Sequence, residues 1–237
     1  MVKVVRYLNT ESHWFPTPQE ALNDPNGLLA IGGDLSPERL IQAYHSGIFP
    51  WFNPDEPILW WSPDPRAVFR VADHSPGKSL KKSLRRAGWR MSLNRDFAAV
   101  IDGCAAPRAK QDGTWISPAM RQSYLTLHQM GVAHSIEVWD GDALAGGLYG
   151  LRVGGLFCGE SMFHRQTDAS KVAFWALNHH LRQCGIHWID AQVPNAHLAN
   201  LGAQTLSRDR FLNLLARHRD QPVNASQWQP QEIELDV

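Results

Sequence analysis

The sequence is poor in cysteine: Cys104, Cys158 and Cys184 are the only three in 237 residues. An odd number at wide spacings argues against a disulfide framework and fits a reducing compartment. There is no Cys-x-x-Cys and no His-Glu-x-x-His, and the adjacent His179 and His180 diverge on a helix, so no metal site is expected. Apolar runs break within a few residues, and the opening MVKVVRYLNTESHW lacks both a continuous apolar segment and a small-residue cleavage site. No membrane span or signal peptide is therefore expected, and the protein reads as cytoplasmic. Net charge is missing too: Lys+Arg and Asp+Glu each total 23, so a nucleic acid would have to be held by a local basic patch. With 43% hydrophobic and 19% charged residues, neither a disordered chain nor a coiled-coil rod fits, and the length suffices for one large or two small domains.

Tryptophan, by contrast, is abundant at 10 residues, and Trp51, Trp60 and Trp61 lie close together. They serve either as core or as flat walls of a ligand pocket. Around them the chain is punctuated by Pro16, Pro18, Pro25, Asn26-Gly27, Gly32-Gly33, Pro50, Pro54, Pro57, Pro63 and Pro65, which excludes long regular elements. One helix is signalled between these breaks, with Ser36 as N-cap, Pro37 at its first position, Leu40, Ile41 and Tyr44 on one face, and Gly47 at its end. The aromatic, proline-rich stretch that follows, up to Arg66, reads as a rigid irregular segment, and a domain boundary near residue 62 divides 1–62 from 63–237. Beyond it SLKKSLRR makes a short helix with Leu80 and Leu84 inside and Lys78, Lys81, Lys82, Arg85 and Arg86 outside, extended by Arg90 and Arg95. Such a face is either simply solvated or a phosphate-binding patch. Ser117 to Met130 is a packing helix carrying Met120, Tyr124, Leu125 and Leu127.

SIEVWD, ALAGGLYGLRV and LFCGESMF, separated by Gly141-Asp142 and Gly154-Gly155, predict a three-stranded antiparallel meander, and Gly146-Gly147 is assigned to the same hairpin geometry. Asp168 is the expected cap of a helix with an apolar stripe of Val172, Phe174, Leu177, Leu181 and Cys184, and IHWIDAQV then returns as a strand parallel to LFCGESMF. Short and longer helices near 196–200 and 208–217 precede a Gln-rich tail expected to be loosely held. Strand alternation places Cys158, Glu160 and Met162 on one face, and Asp190 and Gln192 on one face of the neighbouring strand. Glu160 is costly to bury without a donor or cation, so it is a binding or acid–base residue, or else it faces solvent or pairs with a basic side chain. Whether it meets Asp190 and Gln192 depends on register. Ser161 lacks the second glycine of a nucleophile elbow, and Cys158 reads as an inert core thiol.

The meander, crossover helix and next strand look like the acyl-CoA N-acyltransferase fold. The expected class is α+β: a small N-terminal domain plus an acyl-CoA N-acyltransferase-like C-terminal domain with a mixed sheet. The junction His164 to Ser170 has no glycine, and Asp168 puts negative charge where a pyrophosphate would sit, so no CoA and no other cofactor is expected.

Several stretches, namely IFPWF at 48–52, ILWWSPDPRAV at 58–68, GTWI at 113–116, HSIEVW at 134–139, GLFCGESMFHR at 155–165, DASK at 168–171 and IDAQ at 189–192, resemble the leucyl/phenylalanyl-tRNA–protein transferase family. The resemblance runs from about Phe15 to Arg217. It implies transfer of Leu or Phe, less well Met, from aminoacyl-tRNA to proteins that begin with Arg or Lys, a tag for N-degron degradation. It further implies an apolar aminoacyl pocket of Trp51, Trp115, Leu148, Phe157, Met162, Phe174 and Leu177. Glu160 would hold the α-amino group and Asp190 and Gln192 would act at the ester, the three together forming the catalytic set. An amide is a very weak base, which favours Gln192 as a group that positions the amine or steadies the tetrahedral intermediate. The basic residues Lys78, Lys81, Lys82, Arg85 and Arg86 would hold tRNA phosphates.

Overall fold

The computed structural model describes residues 3–106 and 114–236, so Gly113 of the GTWI stretch lies outside the described residues. The proline-rich beginning folds as short strands, β1 (Arg6–Leu8), β2 (Leu28–Gly32), β3 (Phe49–Pro50) and β4 (Leu59–Trp61), in a four-stranded sheet of order β1-β2-β4-β3. Helix α1 (Pro37–His45) sits between β2 and β3. Its cap differs from the expected one: Ser36 makes no side-chain capping bond, and the Asp34 carboxylate instead accepts the Ser36 N–H at 2.8 Å.

The remaining elements are β5 (Arg66–Arg70), α2 (Lys78–Ala87), β6 (Arg90–Leu93), α3 (Phe97–Ala105), α4 (Pro118–Gln129), β7 (Ala133–Asp140), β8 (Ala143–Val153), β9 (Leu156–His164), α5 (Ala169–Gln183), β10 (Trp188–Gln192), α6 (Ala196–Asn200), β11 (Gln204–Leu206), α7 (Arg208–His218) and β12 (Gln231–Ile233). Eight of these strands form one mixed sheet of order β11-β5-β10-β9-β8-β7-β6-β12. The β7-β8-β9 meander is antiparallel and β9-β10 is parallel, as the strand, helix, strand reading requires. Helices α3 and α4, with α1 beyond them, cover one face through Val100, Met120, Tyr124 and Leu127. Helix α5 covers the other face through Val172, Phe174, Leu177 and Leu181, together with Leu84 of α2. The class is thus mixed α and β with a small N-terminal domain.

Three local expectations are corrected. Gly146 and Gly147 are not turn residues but lie mid-strand in β8, where a Cβ on Gly146 would stand 2.8 Å from the Ala169 Cβ, so the glycine admits the start of α5 against the sheet. The Gln-rich tail is not loose: β12 pairs with β6, and Trp228, Ile233 and Leu235 are buried, because three spaced apolar side chains among polar ones suffice to anchor it. Arg90 and Arg95 do not extend the basic face of α2, since both pair with Glu232 of that tail at 3.7 and 3.1 Å.

Candidate active site

A cleft of about 1210 Å³ opens where the parallel strands β9 and β10 part. Two irregularities shape it. On β9, Tyr149 faces Ser161 and Gly150 faces Gly159, which leaves Glu160 as the extra residue of a bulge. A Cβ on Gly150 would lie 2.1 Å from the Cys158 carbonyl oxygen, so only glycine permits this approach. The bulge breaks the expected alternation: Cys158 packs into the core on the face opposite α5, whereas Met162 packs with Leu148, Phe174 and Leu177 on the α5 face. A second bulge on β10 lies between Asp190 and Gln192, and Gln192 has φ of 63°, the left-handed region that a non-glycine residue takes only where its surroundings hold it. Asp190 and Gln192 therefore do not present one shared face: the Asp190 carboxylate is 1% exposed, and the Gln192 side chain lines the cleft.

The three polar residues nevertheless meet. Glu160 Oε1 accepts the Gln192 side-chain N–H at 2.7 Å, and Glu160 Oε2 accepts the Tyr124 hydroxyl at 2.9 Å. The Tyr44 hydroxyl bonds that of Tyr124 behind it. Asp190 receives two bonds from Arg66, 2.8 Å to Oδ1 and 2.7 Å to Oδ2, and its Oδ1 also accepts the Gln192 backbone N–H at 3.0 Å. Among the described residues no cation faces Glu160 directly, and burial raises its carboxyl to about 7 against the hydroxyl and amide bonds that favour the ion. A carboxylate short of a positive partner, at the end of an apolar cleft, is built to receive a cationic or hydrogen-bonding ligand group. Cys158 is buried, and desolvation pushes its thiol well above the ordinary range, so it supplies no nucleophile.

Six of the seven apolar candidates, Trp51, Trp115, Leu148, Met162, Phe174 and Leu177, line this cleft. Phe157 does not: it is buried behind the lining, its ring stacked on Trp228 at 6.2 Å. Of the clustered tryptophans, Trp60 is core, while Trp51 remains 47% exposed beside Trp61. Asp168 starts α5 with a φ of 72° and makes no side-chain cap; its carboxylate holds Lys171 at 2.8 Å and Ser83 at 3.1 Å at the cleft edge. On α2, Lys78, Lys82, Arg85 and Arg86 are exposed and form no ion pair among the described residues, whereas Lys81 is half-buried over the Trp175 ring at 5.6 Å. The sequence reading missed Tyr44, Tyr124 and Arg66. The first two were placed on apolar helix faces by periodicity alone, and the available signal was that a buried tyrosine hydroxyl needs a partner. Arg66 lies in the WWSPDPR stretch, where nothing local marks it as the partner of a distant carboxylate.

Among the described residues no group of His, Cys, Asp and Glu is arranged to hold a metal ion, and no helix is long and apolar enough to cross a membrane. Comparison with known proteins gives a family match in two parts: the family model described as leucyl/phenylalanyl-tRNA protein transferase covers residues 68–216, and that of its N-terminal domain covers residues 33–64. The leucyl/phenylalanyl-tRNA–protein transferase of Shewanella woodyi is 59% identical over 231 residues, 98% of each chain. Those of Shewanella piezotolerans and Shewanella frigidimarina are each 58% identical, covering 98% and 97% of both chains respectively. A solved structure of L-PGS from Bacillus licheniformis aligns with a TM-score of 0.40 at 12% identity, over 86% of this chain and 66% of that one, a likeness too distant to bear on function. The chain therefore belongs to the leucyl/phenylalanyl-tRNA–protein transferase family, enzymes whose name specifies an aminoacyl-tRNA donor and a protein acceptor.

Proposed function

We propose that this enzyme moves leucine or phenylalanine, and methionine less well, from aminoacyl-tRNA to the N-terminal amine of proteins that begin with Arg or Lys, marking them for N-degron degradation in the cytoplasm. The observation that carries the reading is the cleft itself: an apolar wall of Trp51, Trp115, Leu148, Met162, Phe174 and Leu177 ends at the Glu160–Gln192 pair. An unbranched or γ-branched aminoacyl side chain fits that wall, and its α-ammonium group supplies the cation that Glu160 lacks. That ammonium takes the place of the Gln192 amide on Glu160, which frees the amide to line up the incoming amine and steady the oxyanion.

The neutral acceptor amine attacks the ester carbonyl carbon, and the C–O bond to the tRNA ribose breaks. The proton lost by the amine is relayed by a neighbouring ribose hydroxyl or a water to the ribose oxygen that leaves, so the tRNA departs with a free hydroxyl. An activated ester and a free amine need alignment more than acid–base power, which agrees with an apolar wall that ends at the Gln192 amide and the Glu160 carboxylate. Lys78, Lys81, Lys82, Arg85 and Arg86 hold phosphates of the tRNA, with the four exposed side chains as the main contacts. Residues 63–237 form an acyl-CoA N-acyltransferase-like domain behind a boundary near residue 62. The negative Asp168 at the start of α5 supports a site that takes no CoA.

The test is a substrate panel. With intact tRNAs charged with Leu, Phe, Met, Val or Ile and peptides beginning with Arg, Lys or Ala, the first three tRNAs label Arg and Lys peptides, and RNase abolishes transfer. Equal labelling from valyl-tRNA, or equal labelling of the Ala peptide, would remove the proposed specificity.

A further inference from the structure

Arg66 is 1% exposed, beside the site, and so far without a role. Its guanidinium lies between the rings of Phe49 and Phe211, 4.8 and 4.4 Å from their centroids. Nε and Nη2 grip the two oxygens of Asp190, and Nη1 donates to the Gly47 carbonyl at 3.1 Å. Asp190 Oδ1 in turn takes the backbone N–H of Gln192, the residue held at φ of 63° directly after a bulge. This turned backbone sends the Gln192 amide to Glu160. Without a fixed acceptor for its N–H, a non-glycine residue has no reason to remain in the left-handed region.

We infer that Arg66 is a positioning residue for the transfer step: it locks the Asp190 carboxylate, which clamps the turned backbone of Gln192 and so aims its amide into the cleft. The inference rests on the proposed role of Gln192 at the ester. It assigns Asp190 to the same brace, since a carboxylate already shared by a guanidinium and a backbone N–H is not a surface that meets substrate. Through Gly47 and Phe49 the same guanidinium also secures the chain that continues into Pro50 and Trp51, both of which line the cleft. The wall side of this contact is packing on two rings, which an apolar side chain at position 66 retains, whereas the grip on Asp190 needs the guanidinium. Only a planar fork can serve as such a brace, because the ammonium of a lysine is a single point that cannot hold both carboxylate oxygens and the Gly47 carbonyl in fixed directions.

The competing explanation is that the buried pair serves stability alone. The double replacement Arg66→Met with Asp190→Leu separates the two, because a buried ion pair exchanged for apolar groups of similar size generally keeps a fold. A thermal melt first shows that the variant is folded. Labelled-leucine transfer to an Arg peptide is then followed for wild type, the double variant, Arg66→Lys, Gln192→Ala and the triple combination. The double variant is expected to lose about 100-fold in kcat, the scale of a misplaced reacting group, with KM for leucyl-tRNA changed by less than about threefold. Adding Gln192→Ala to it should cost little more than Gln192→Ala alone, because both act through one amide. Arg66→Lys, which keeps the charge, should fall about tenfold or more in kcat, and it decides the question if the double variant does not fold. A folded double variant, or Arg66→Lys, turning over within about threefold of wild type while Gln192→Ala is crippled would overturn the role of Arg66 alone. Wild-type kcat in Gln192→Ala would instead overturn the reading of the site on which the inference rests.

Discussion

Replacing Glu160 by Gln should make the protein more stable while it destroys activity. Burial holds the Glu160 carboxyl at about 7, against its ordinary 4.5, so the folded state keeps a proton that the unfolded chain has already lost across that range. Because the folded value is the higher one, the favourable contribution is complete below pH 4.5. It declines as pH rises from 4.5 to about 7, and above 7 the folded protein carries the full penalty of a desolvated carboxylate. That interval corresponds to about 3 kcal/mol at most, and water admitted by the cleft reduces the expected figure to about 1–2 kcal/mol. A glutamine keeps the Tyr124 bond through its carbonyl oxygen, and its NH2 meets the Gln192 amide once that amide turns over. At pH 7.5, Glu160→Gln should therefore melt about 2–6 °C above wild type, given a chain of this length. The gain should vanish near pH 5, and aminoacyl transfer should fall by at least about 100-fold because the α-ammonium loses its counter-charge. Melting curves at pH 5 and 7.5, read beside transfer assays, check both halves. A variant less stable than wild type at pH 7.5, or one whose gain is the same at both pH values, would refute the reasoning.

Gly150→Ala should cripple transfer, because the new methyl group would stand 2.1 Å from the Cys158 carbonyl and force out the bulge that carries Glu160; a melt and a transfer assay on one preparation read both effects. Trp228→Ala should cost about 3 kcal/mol or more in urea unfolding, since the 5% exposed indole packs on Phe157, His134 and His180 and anchors the tail. Neutralising Lys82 and Arg85 together should weaken tRNA binding alike for every charged tRNA and lower the slope of log affinity against log salt by about one for each phosphate contact removed. Leu177→Ala deepens the apolar wall and should raise the phenylalanine-to-leucine ratio of kcat/KM by about tenfold, measured by competition between the two charged tRNAs.

The parts of this architecture that were legible in the sequence are those where local chemistry and tertiary packing agree. Paired turn residues separated β7, β8 and β9, and the apolar stripe of α5 at helical spacing implied the crossover that makes β10 parallel to β9. Glu160, Asp190 and Gln192 stood out because charged and amide groups on buried strands need partners. The two bulges did not show, since the approach of Gly150 to Cys158 and the left-handed turn at Gln192 arise only when neighbouring strands meet. Simple alternation therefore put Cys158 and Met162 on one face, and the family resemblance, which implied Phe157 as a pocket residue, does not show that its ring stands behind the cleft. The partners of the site come from far along the chain: Tyr124 lies 36 residues from Glu160, and Arg66 lies 124 residues from Asp190. Periodicity assigns such residues to a core without saying which polar group they serve there. The tail was misjudged for a related reason, as its glutamines dominate the composition while Trp228, Ile233 and Leu235 do the packing.

The central claim is that the cleft aligns an aminoacyl ester with an amine through Glu160 and Gln192. Its most direct test is the rate of a single turnover, with labelled leucyl-tRNA bound in advance to the enzyme and then mixed with a peptide beginning with Arg, for wild type, Glu160→Ala and Gln192→Ala. The expected result is label in the peptide from the wild type, pre-binding of leucyl-tRNA weakened in Glu160→Ala, and a bound ester that reacts at least about 100-fold more slowly in Gln192→Ala. Transfer at the wild-type rate in both variants, with leucyl-tRNA bound as tightly as before, would contradict it.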